Sequence, residues 1–452
     1  MSDWVKNLKG MGKLRLFIAL LFVLSLLTPL YASDIQQERP AVNQPAVPEK
    51  AEPEIKAEPV IKTEPAIKVE PIIRAEPDIK NTASEPTITP YRSNPVAVEA
   101  VEKNMSLFTD KIKERFSLWL SRSGKYLELM KEILKSKNIP EDIVFLSLIE
   151  SGFNPYAYSI ARAVGPWQFI SSTAKRYGLV IDWWRDERRD PVKSTEAAAN
   201  YLKDLYDMFG SWNLAMAAYN AGEGKILKAL NRSKSDDYWS LLKTRHIKRE
   251  TKEYVPRFIA ASTIAENPEE FGFKNINYHQ PLDYDEVAVN EPLDLEVAAR
   301  CAGTTIEIIK ELNPELRRWC TPPDMPLYIL RIPAGSKELF LKNLADIPEE
   351  ERFTVETYTV KKGDTINKIA KNTGVTVKAI LVLNSMDKIK SLKPGTRISL
   401  PPKEKFQLDR DDRFEIRKAS FKRYKKKGKT VRAKNKKLLV TSLNNKKSVV
   451  ND

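Results

Sequence analysis

The chain has 452 residues, enough for about three domains, and its 42% apolar and 30% charged residues are ordinary for a soluble globular protein. The net charge of +15 does not indicate a nucleic-acid-binding domain, because residues 413–452 alone hold 15 Lys and Arg against two Asp and Glu. Only two histidines, His246 and His279, are present, and they are too few and too far apart to predict a metal site.

Residues 1–33 predict a signal peptide for export. Four basic residues from Lys6 to Arg15 precede an apolar run over residues 16–27, and Ala32 and Ser33 are small residues suited to cleavage. The run is shorter than the roughly 20 residues that span a bilayer, which favours a cleaved signal over a retained anchor. We therefore expect an exported protein in an oxidising compartment.

Residues 34–100 predict a linker. Five tandem hexapeptides begin at Ala51, each with Glu-Pro at its second and third positions. Proline every six residues blocks helices and central strands, and the alternating Glu and Lys keep the segment solvated. We expect an extended spacer biased towards polyproline II.

Residues 101–275 predict a helical domain, so the expected fold class is mainly α. Its most informative stretch is residues 143–149, in which six of seven residues are apolar. Pro140 and two acids precede this run and Gly152 follows it, and such residues begin and end helices. A helix that is apolar all round is buried, so Glu150 is predicted at the C-terminal end of a core helix.

The position of Glu150 has two interpretations. The negative end of the helix dipole and apolar surroundings would both raise its pKa, and a carboxyl that stays protonated near neutral pH can act as a general acid. Alternatively, Glu150 is a helix-end side chain that faces water. The segment on its own favours this plainer interpretation.

Residues 285–335 and 355–402 each predict a small α+β module in the order strand, helix, helix, strand. In the second module, strands at residues 358–360 and 397–400 flank two short helical patterns. Cys301 and Cys320 lie in the first module, and we interpret them as a disulfide pair or, alternatively, as two unrelated buried thiols. Residues 403–452 predict a basic, disordered tail.

Several motifs follow Glu150 along the helical domain. They are Ser159, Gly165-Pro-Trp-Gln168, Thr173-Ala174, Tyr177-Gly-Leu179, Asp186-Glu-Arg-Arg-Asp-Pro191, Ala218-Tyr-Asn-Ala-Gly222 and Glu250-Thr-Lys-Glu-Tyr-Val-Pro256. In this order they resemble the catalytic domain of the soluble-type lytic transglycosylases of bacterial cell walls, with particular likeness to the membrane-bound murein transglycosylase D group. The resemblance implies a goose-type lysozyme fold, peptidoglycan strands as substrate and a place in the periplasm or cell envelope.

The resemblance also implies roles for individual residues. Glu150 matches the single catalytic acid/base of that family. Other positions match residues that shape the groove or hydrogen-bond the sugar and the catalytic carboxyl, namely Ser159, Gln168, Tyr219, Asn220, Glu250 and Tyr254. The frequent Gly-Leu-Met-Gln of the family reads Gly-Pro-Trp-Gln here, which leaves the sugar contacts of this turn open.

The expected chemistry follows from the number of acids. Glycosidases that act through two carboxylates need a pair, whereas only Glu150 ends the buried helix. One acid is sufficient if the substrate provides the nucleophile. We therefore expect cleavage of the β-1,4 bond between N-acetylmuramic acid and N-acetylglucosamine with formation of a 1,6-anhydro ring, and we expect no cofactor. The alternatives are a hydrolytic muramidase on the same fold and a non-catalytic peptidoglycan-binding protein.

Residues 355–402 resemble a LysM domain, a βααβ fold that binds N-acetylglucosamine-containing glycans. The likeness rests on Tyr358-Thr-Val-Lys-Lys-Gly-Asp-Thr365, Leu383-Asn384 and Leu392-Lys-Pro-Gly-Thr396. It implies glycan-binding roles for Gly363, Asp364, Thr365 and Asn384, although the same residue types also suit turns and helix caps. Residues 285–335 look like a degenerate copy without the Gly-Asp-Thr turn. For the basic tail the expected partner is an anionic envelope polymer or lipid and not nucleic acid, and the plainer alternative is a solvated tail.

Overall fold

The computed structural model describes residues 91–414 and 416–417. The predicted signal, most of the predicted linker and the basic stretch from residue 418 onwards lie outside the described residues. Within the described part of the chain, every helix is too short or too polar to cross a membrane.

The helical domain is built around one apolar core. Its α-helices are Pro95–Ser106, Lys113–Ser136, Phe145–Ser151, Ser171–Arg176, Pro191–Phe209, Trp212–Ala221, Glu223–Ser233, Tyr238–Leu242 and Arg249–Glu266. The helix Arg249–Glu266 packs against the first helix, against Trp212–Ala221 and against Phe145–Ser151. This last helix of the domain therefore packs against both the first helix and the helix that carries Glu150.

The predicted linker extends too far at its C-terminal end. Asn94 accepts hydrogen bonds from the amides of Val96 and Ala97 at 3.1 and 3.4 Å, and Pro95 occupies the first helical turn. Proline is accepted there because its missing N–H would have no helical partner. Ala97 and Val101 are fully buried, so the helical domain begins before residue 101.

Two small α+β modules follow, as predicted. In the first, strands Tyr284–Val289 and Tyr328–Pro333 pair antiparallel and flank helices Leu295–Cys301 and Ile306–Leu312. A further helix, Lys337–Ala345, packs on this module through the buried Phe340, so the module is longer than the predicted 285–335. In the second, antiparallel strands Glu356–Thr359 and Arg397–Leu400 flank helices Ile366–Thr373 and Val377–Leu383.

One asparagine staples each module in the same way. Asn384 donates to the carbonyls of Ile380 and Ser399 at 2.7 and 2.8 Å and accepts from the Ser399 amide at 2.8 Å. Asn313 repeats this pattern with Ile309 and Arg331 in the first module. The side chain ties the second helix to the last strand, which explains the Leu-Asn motif in both copies.

The modules meet the helical domain at a tryptophan-rich contact, here called the junction cluster. It consists of Trp183, Trp184, Trp319, Cys320 and Ala379. Its members come from a loop of the helical domain, from the first module and from the second helix of the LysM-like second module. The junction cluster therefore packs three parts of the chain against one another.

The predicted disulfide between Cys301 and Cys320 is wrong. Both thiols are free and buried. Cys301 packs in the core of the first module, whereas Cys320 belongs to the junction cluster. The two residues belong to separate apolar clusters, which agrees with the alternative of two unrelated buried thiols.

The start of the predicted tail is also wrong. Residues 403–414, here called the C-terminal segment, pack on the rest of the protein. Arg317 donates to Asp409 at 2.5 Å and Arg318 donates to Asp412 at 2.8 Å, and both guanidinium groups are buried. Charges that are withdrawn from water need such partners. The acids of the segment thus dock it on the first module.

The C-terminal segment also reaches the helical domain. Tyr158 donates to Asp411 at 2.8 Å, and the Arg162 guanidinium lies 4.5 Å from the centre of the Phe414 ring. A cavity of about 790 Å³ lies beside these contacts, and Lys378 of the second module also lines it. The cavity therefore has walls from the helical domain, the C-terminal segment and the second module.

The Arg318–Asp412 pair gives a prediction for stability. Replacing Arg318 with Met leaves the buried Asp412 without this partner, so we expect a loss of about 3–5 kcal/mol in the free energy of unfolding. Lys203→Met is the control, because its pair with Asp207 is exposed and should be worth less than about 1 kcal/mol. Denaturant unfolding measures both variants. Equal losses would contradict a role of the buried pair.

Candidate active site

The helix Phe145–Ser151 places Glu150 in its last turn, as the sequence predicts. Residues Phe145 to Leu148 are buried in the core, while Glu150 remains partly exposed. Ser151 donates to the carbonyl of Pro166 at 2.8 Å, and the buried Ser147 donates to the same carbonyl at 3.2 Å. These two hydroxyls fix the helix to the Gly165–Gln168 turn.

Gly152 ends this helix in the left-handed conformation, with φ of +60°. Its amide donates to the Leu148 carbonyl at 2.8 Å, and its carbonyl accepts from Arg122 at 2.7 Å. A Cβ atom at this position would lie 2.2 Å from the ring of Trp119. Only glycine satisfies both the backbone conformation and the space beside Glu150.

The Glu150 carboxyl has an unusual pKa. It is raised to about 7, chiefly because burial disfavours the charged form. The hydrogen bond that Tyr254 donates to Glu150 Oε1 at 2.6 Å lowers the pKa. The charge of Glu250 raises it, and the charge of Arg257 lowers it. The balance leaves a carboxyl that can hold a proton near neutral pH and can release it.

Two tyrosines from different helices approach this carboxyl. Tyr254 is buried in helix Arg249–Glu266, and Tyr219, in helix Trp212–Ala221, donates to the Trp167 carbonyl at 2.7 Å. Burial raises the pKa of both hydroxyls well above their usual value, and the charge of Glu150 raises them further. Both tyrosines therefore stay protonated as hydrogen-bond donors.

Pro256 shapes the helix that carries Tyr254. Proline has no amide hydrogen to donate, so the Lys252 carbonyl loses its partner within the helix. The hydroxyl of the buried Tyr238 lies 2.9 Å from the carbonyls of Thr251 and Lys252 and donates there instead. This outside donor keeps the first turns of the helix intact beside Glu150.

Ser159 and Gln168 lie on two loops that Arg188 joins. The Ser159 hydroxyl accepts from the Ala163 amide at 3.0 Å, and Gln168, at φ of +50°, donates to the Gly165 carbonyl at 2.9 Å. Arg188 donates to the carbonyls of Arg162 and Phe169, one on each loop, at 3.0 and 3.1 Å. Both predicted residues therefore have internal bonds that set their loops.

Asn220 and Glu250 lie together on the two helices that carry Tyr219 and Tyr254. Asn220 accepts from the Thr251 hydroxyl at 2.9 Å, and Asn220, Glu250 and Thr251 line one cavity. Glu250 is exposed. Its charge nevertheless acts on Glu150, so the structure places a second carboxylate near the first. The resemblance already implies a place for Glu250 at the groove, whereas its effect on the pKa of Glu150 was not predicted.

Two arginines were not predicted as site residues. Arg257 shares a helix face with Glu250 and Tyr254, because positions i, i+4 and i+7 align in a helix. Helical periodicity could have identified it. Arg188 lies within a quoted motif, but its bonds to two distant loops depend on tertiary structure that no local pattern reveals.

The predicted LysM residues are close together in the second module, but their side chains act internally. Asp364 accepts from Tyr358 at 2.8 Å and from the Lys361 amide at 3.0 Å, while Thr365 caps helix Ile366–Thr373. Gly363 has φ of +83° in open space. Asn384 staples the module, so its amide is already used. The structure therefore gives all four residues turn, cap or staple roles.

Comparison with known protein families matches three parts of the chain. Residues 128–242 match the transglycosylase SLT domain, residues 283–349 match the LysM-like domain of the lytic transglycosylase MltD, and residues 358–401 match the LysM domain. These matches confirm the resemblance to the lytic transglycosylases, and the helices of the domain confirm the mainly α fold class predicted from the sequence. The second match also covers the extra helix of the first module.

Curated relatives carry corresponding names. The chain is 33% identical to the membrane-bound lytic murein transglycosylase D of Escherichia coli strain K12 over 294 residues, which is 62% of this chain and 64% of that protein. It is 28% identical to the membrane-bound lytic murein transglycosylase C of Haemophilus ducreyi over 30% of this chain and 43% of that protein. The chain thus spans less than two thirds of the length of these relatives.

A solved structure of the 70-kDa soluble lytic transglycosylase of Escherichia coli is also similar to part of the chain. The similarity covers 41% of this chain and 32% of that chain, at 23% identity and a TM-score of 0.30.

Gly152 gives a prediction with a matched control. Gly152→Ala forces alanine into the left-handed conformation, at about 1–2 kcal/mol, and drives its Cβ into Trp119, at about 1–3 kcal/mol more. Gly210→Ala has the same backbone cost at φ of +63° but meets nothing within 4 Å. We expect Gly152→Ala to lower the free energy of unfolding by the larger amount. Equal losses in denaturant unfolding would show that Trp119 yields without cost.

Proposed function

We propose that this protein is an exported lytic transglycosylase of bacterial peptidoglycan in which Glu150 is the acid/base catalyst. The observation that carries the proposal is the partly exposed Glu150 carboxyl, which has a pKa of about 7 and a hydrogen bond from Tyr254 at one oxygen. The second oxygen remains for a substrate. The names of the curated relatives and the match to the transglycosylase SLT domain support the same class of reaction.

The proposed first step is proton transfer to the leaving group. Glu150 gives its proton to the glycosidic oxygen between N-acetylmuramic acid and N-acetylglucosamine, and the bond from that oxygen to the muramyl C1 breaks. The carboxylate that forms is stabilised by the Tyr254 hydroxyl and by the charge of Arg257. Interactions that favour the charged form are strongest at this stage, so they lower the barrier.

The proposed second step returns the proton. The Glu150 carboxylate takes the proton of the muramyl C6 hydroxyl, whose oxygen attacks C1 and closes the 1,6-anhydro ring. No water is consumed, and Glu150 ends protonated, ready for another cycle. A carboxyl with a pKa near 7 suits both directions of transfer, because neither protonation state is strongly favoured at neutral pH.

A hydrolytic muramidase is the second candidate, and Glu250 favours it. Enzymes that invert at the anomeric carbon use a second carboxylate to activate water. The charge of Glu250 acts on Glu150, although the Glu250 side chain is exposed at the edge of the site. The two candidates differ in their products, which end in an anhydro ring or in a free reducing sugar.

We also propose that residues 358–401 bind N-acetylglucosamine-containing glycan and hold the enzyme on the wall. The match to the LysM domain supports this role. Since the side chains of Asp364 and Asn384 are used within the module, the sugar would meet the turn backbone and the exposed Lys361 and Lys362.

Replacement of the catalytic carboxyl tests the proposed reaction. Glu150→Gln cannot exchange the proton, so we expect turnover of sacculi to fall by roughly 10²–10⁴-fold or more while binding to sacculi persists. Glu132→Gln is the control, because Glu132 is exposed on another helix. Mass analysis of wild-type products should show anhydro-muramyl ends. Free reducing ends would select the muramidase, and a Glu150→Gln rate equal to wild type would exclude this catalyst.

The pH dependence of the reaction gives a second test. Catalysis begins from protonated Glu150, so kcat/KM should fall as the pH rises through about 7. Tyr254→Phe removes a bond that lowers the pKa, so this limb should move to higher pH. Glu250→Gln removes a charge that raises the pKa, so the limb should move to lower pH. Shifts in the same direction for both variants would contradict the assignment of the limb to Glu150.

A further inference from the structure

The cavity that Asn220, Glu250 and Thr251 line has a volume of about 260 Å³. Asn220, Glu250 and Thr251 form the part of its wall that belongs to the site already described. Most of the remaining wall is basic and consists of Lys225, Lys228, Arg232, His246 and Lys248. We call this cavity the basic pocket.

Two elements build the basic pocket. Helix Glu223–Ser233 is anchored in the core by Ile226 and carries its three basic pocket residues at positions i, i+3 and i+7, which lie on one face. The loop before helix Arg249–Glu266 brings Lys248 and His246 to the other side. All five basic and histidine side chains are exposed at the cavity.

The positive charge of the pocket is not compensated within the described part of the protein. There, Lys225 donates to the Ala221 carbonyl at 2.7 Å, and neither it nor Lys228, Arg232 or Lys248 makes an ion pair. A nearby acid is engaged elsewhere, since Glu223 pairs with Arg176 at 3.3 Å. Glu250 is the only acid in the lining. A concave wall whose charge is mostly positive attracts and orients an anion.

We propose that the basic pocket binds the free carboxylates of the peptide attached to the muramyl residue, so that the enzyme prefers peptide-bearing glycan strands. The inference rests on the proposed function. The amino sugars of the strand are neutral at the cleaved bond, whereas their peptide substituents carry carboxylates. Because the pocket shares Asn220 and Glu250 with the candidate active site, an anion bound there belongs to a group close to the reacting sugar.

The test compares two substrates with two variants of the full chain. The pocket variant is Lys225→Gln, Lys228→Gln and Arg232→Gln, and the charge-matched control is Arg115→Gln, Lys137→Gln and Lys342→Gln, which are exposed outside the pocket. The substrates are phosphate-free murein glycan with its peptides and the same glycan after removal of the peptides. We expect the ratio of kcat/KM for peptide-bearing to peptide-free glycan to fall roughly tenfold in the pocket variant. The reason is that this variant cannot form the three exposed ion pairs that the wild-type side chains would make with the peptide carboxylates of the substrate. In the control variant the ratio should equal that of wild type.

Salt gives an independent readout. Raising the ionic strength from about 0.05 M to about 0.5 M should reduce the wild-type preference for peptide-bearing glycan and leave the ratio of the pocket variant almost constant. An unaltered ratio in the pocket variant, or an equal loss on both substrates, would overturn the proposal while leaving the proposed function intact. Inhibition by polyphosphate with an unaltered ratio would assign the pocket to a phosphate polymer and would also overturn it. If wild type cleaves neither substrate, the proposed function itself fails.

Discussion

The buried ion pair between Asp186 and Arg188 holds the walls of the site in place. The guanidinium donates to both carboxylate oxygens, at 2.8 and 2.7 Å, and its remaining donors reach the carbonyls of Arg162 and Phe169. A planar group with fixed donors can bind three partners in one geometry. The backbone around it is tight, since a Cβ on Gly165 would lie 1.7 Å from the Arg188 carbonyl. The loops that carry Ser159 and Gln168 thus depend on one buried charge.

The protonation of Glu150 likewise depends on a few neighbouring groups. A carboxyl in a fully apolar site would remain neutral, and one surrounded by donors would remain charged. Here burial and the charge of Glu250 favour the proton, while Tyr254 and Arg257 favour its loss. Three of these groups lie on one face of helix Arg249–Glu266, so one helix adjusts the pKa of a residue on another, beside the larger effect of burial. The packing of helix Arg249–Glu266 against helix Phe145–Ser151 therefore also affects the pKa of Glu150.

Much of the fold could be predicted from local sequence, because the relevant signals are local. The apolar run before Glu150, its flanking proline and glycine, and the order of strand, helix, helix, strand in both modules were predicted and are observed. The contact from Tyr254 to Glu150 joins residues 104 positions apart, and the sequence supported it only through resemblance. The C-terminal segment was misjudged for a different reason. Its three aspartates, Asp409, Asp411 and Asp412, were assigned to a basic tail, although they form ion pairs with the buried Arg317 and Arg318.

The junction cluster has a mechanical consequence. Trp183 and Trp184 of the helical domain, Trp319 of the first module and Ala379 of the second are packed as one body, and the 790 Å³ cavity lies between walls from the helical domain, the C-terminal segment and the second module. Close-packed side chains are barely compressible, so the parts of the chain that they join cannot shift relative to one another without repacking. A displacement of the second module from the helical domain would therefore have to separate these tryptophan side chains and expose them to water.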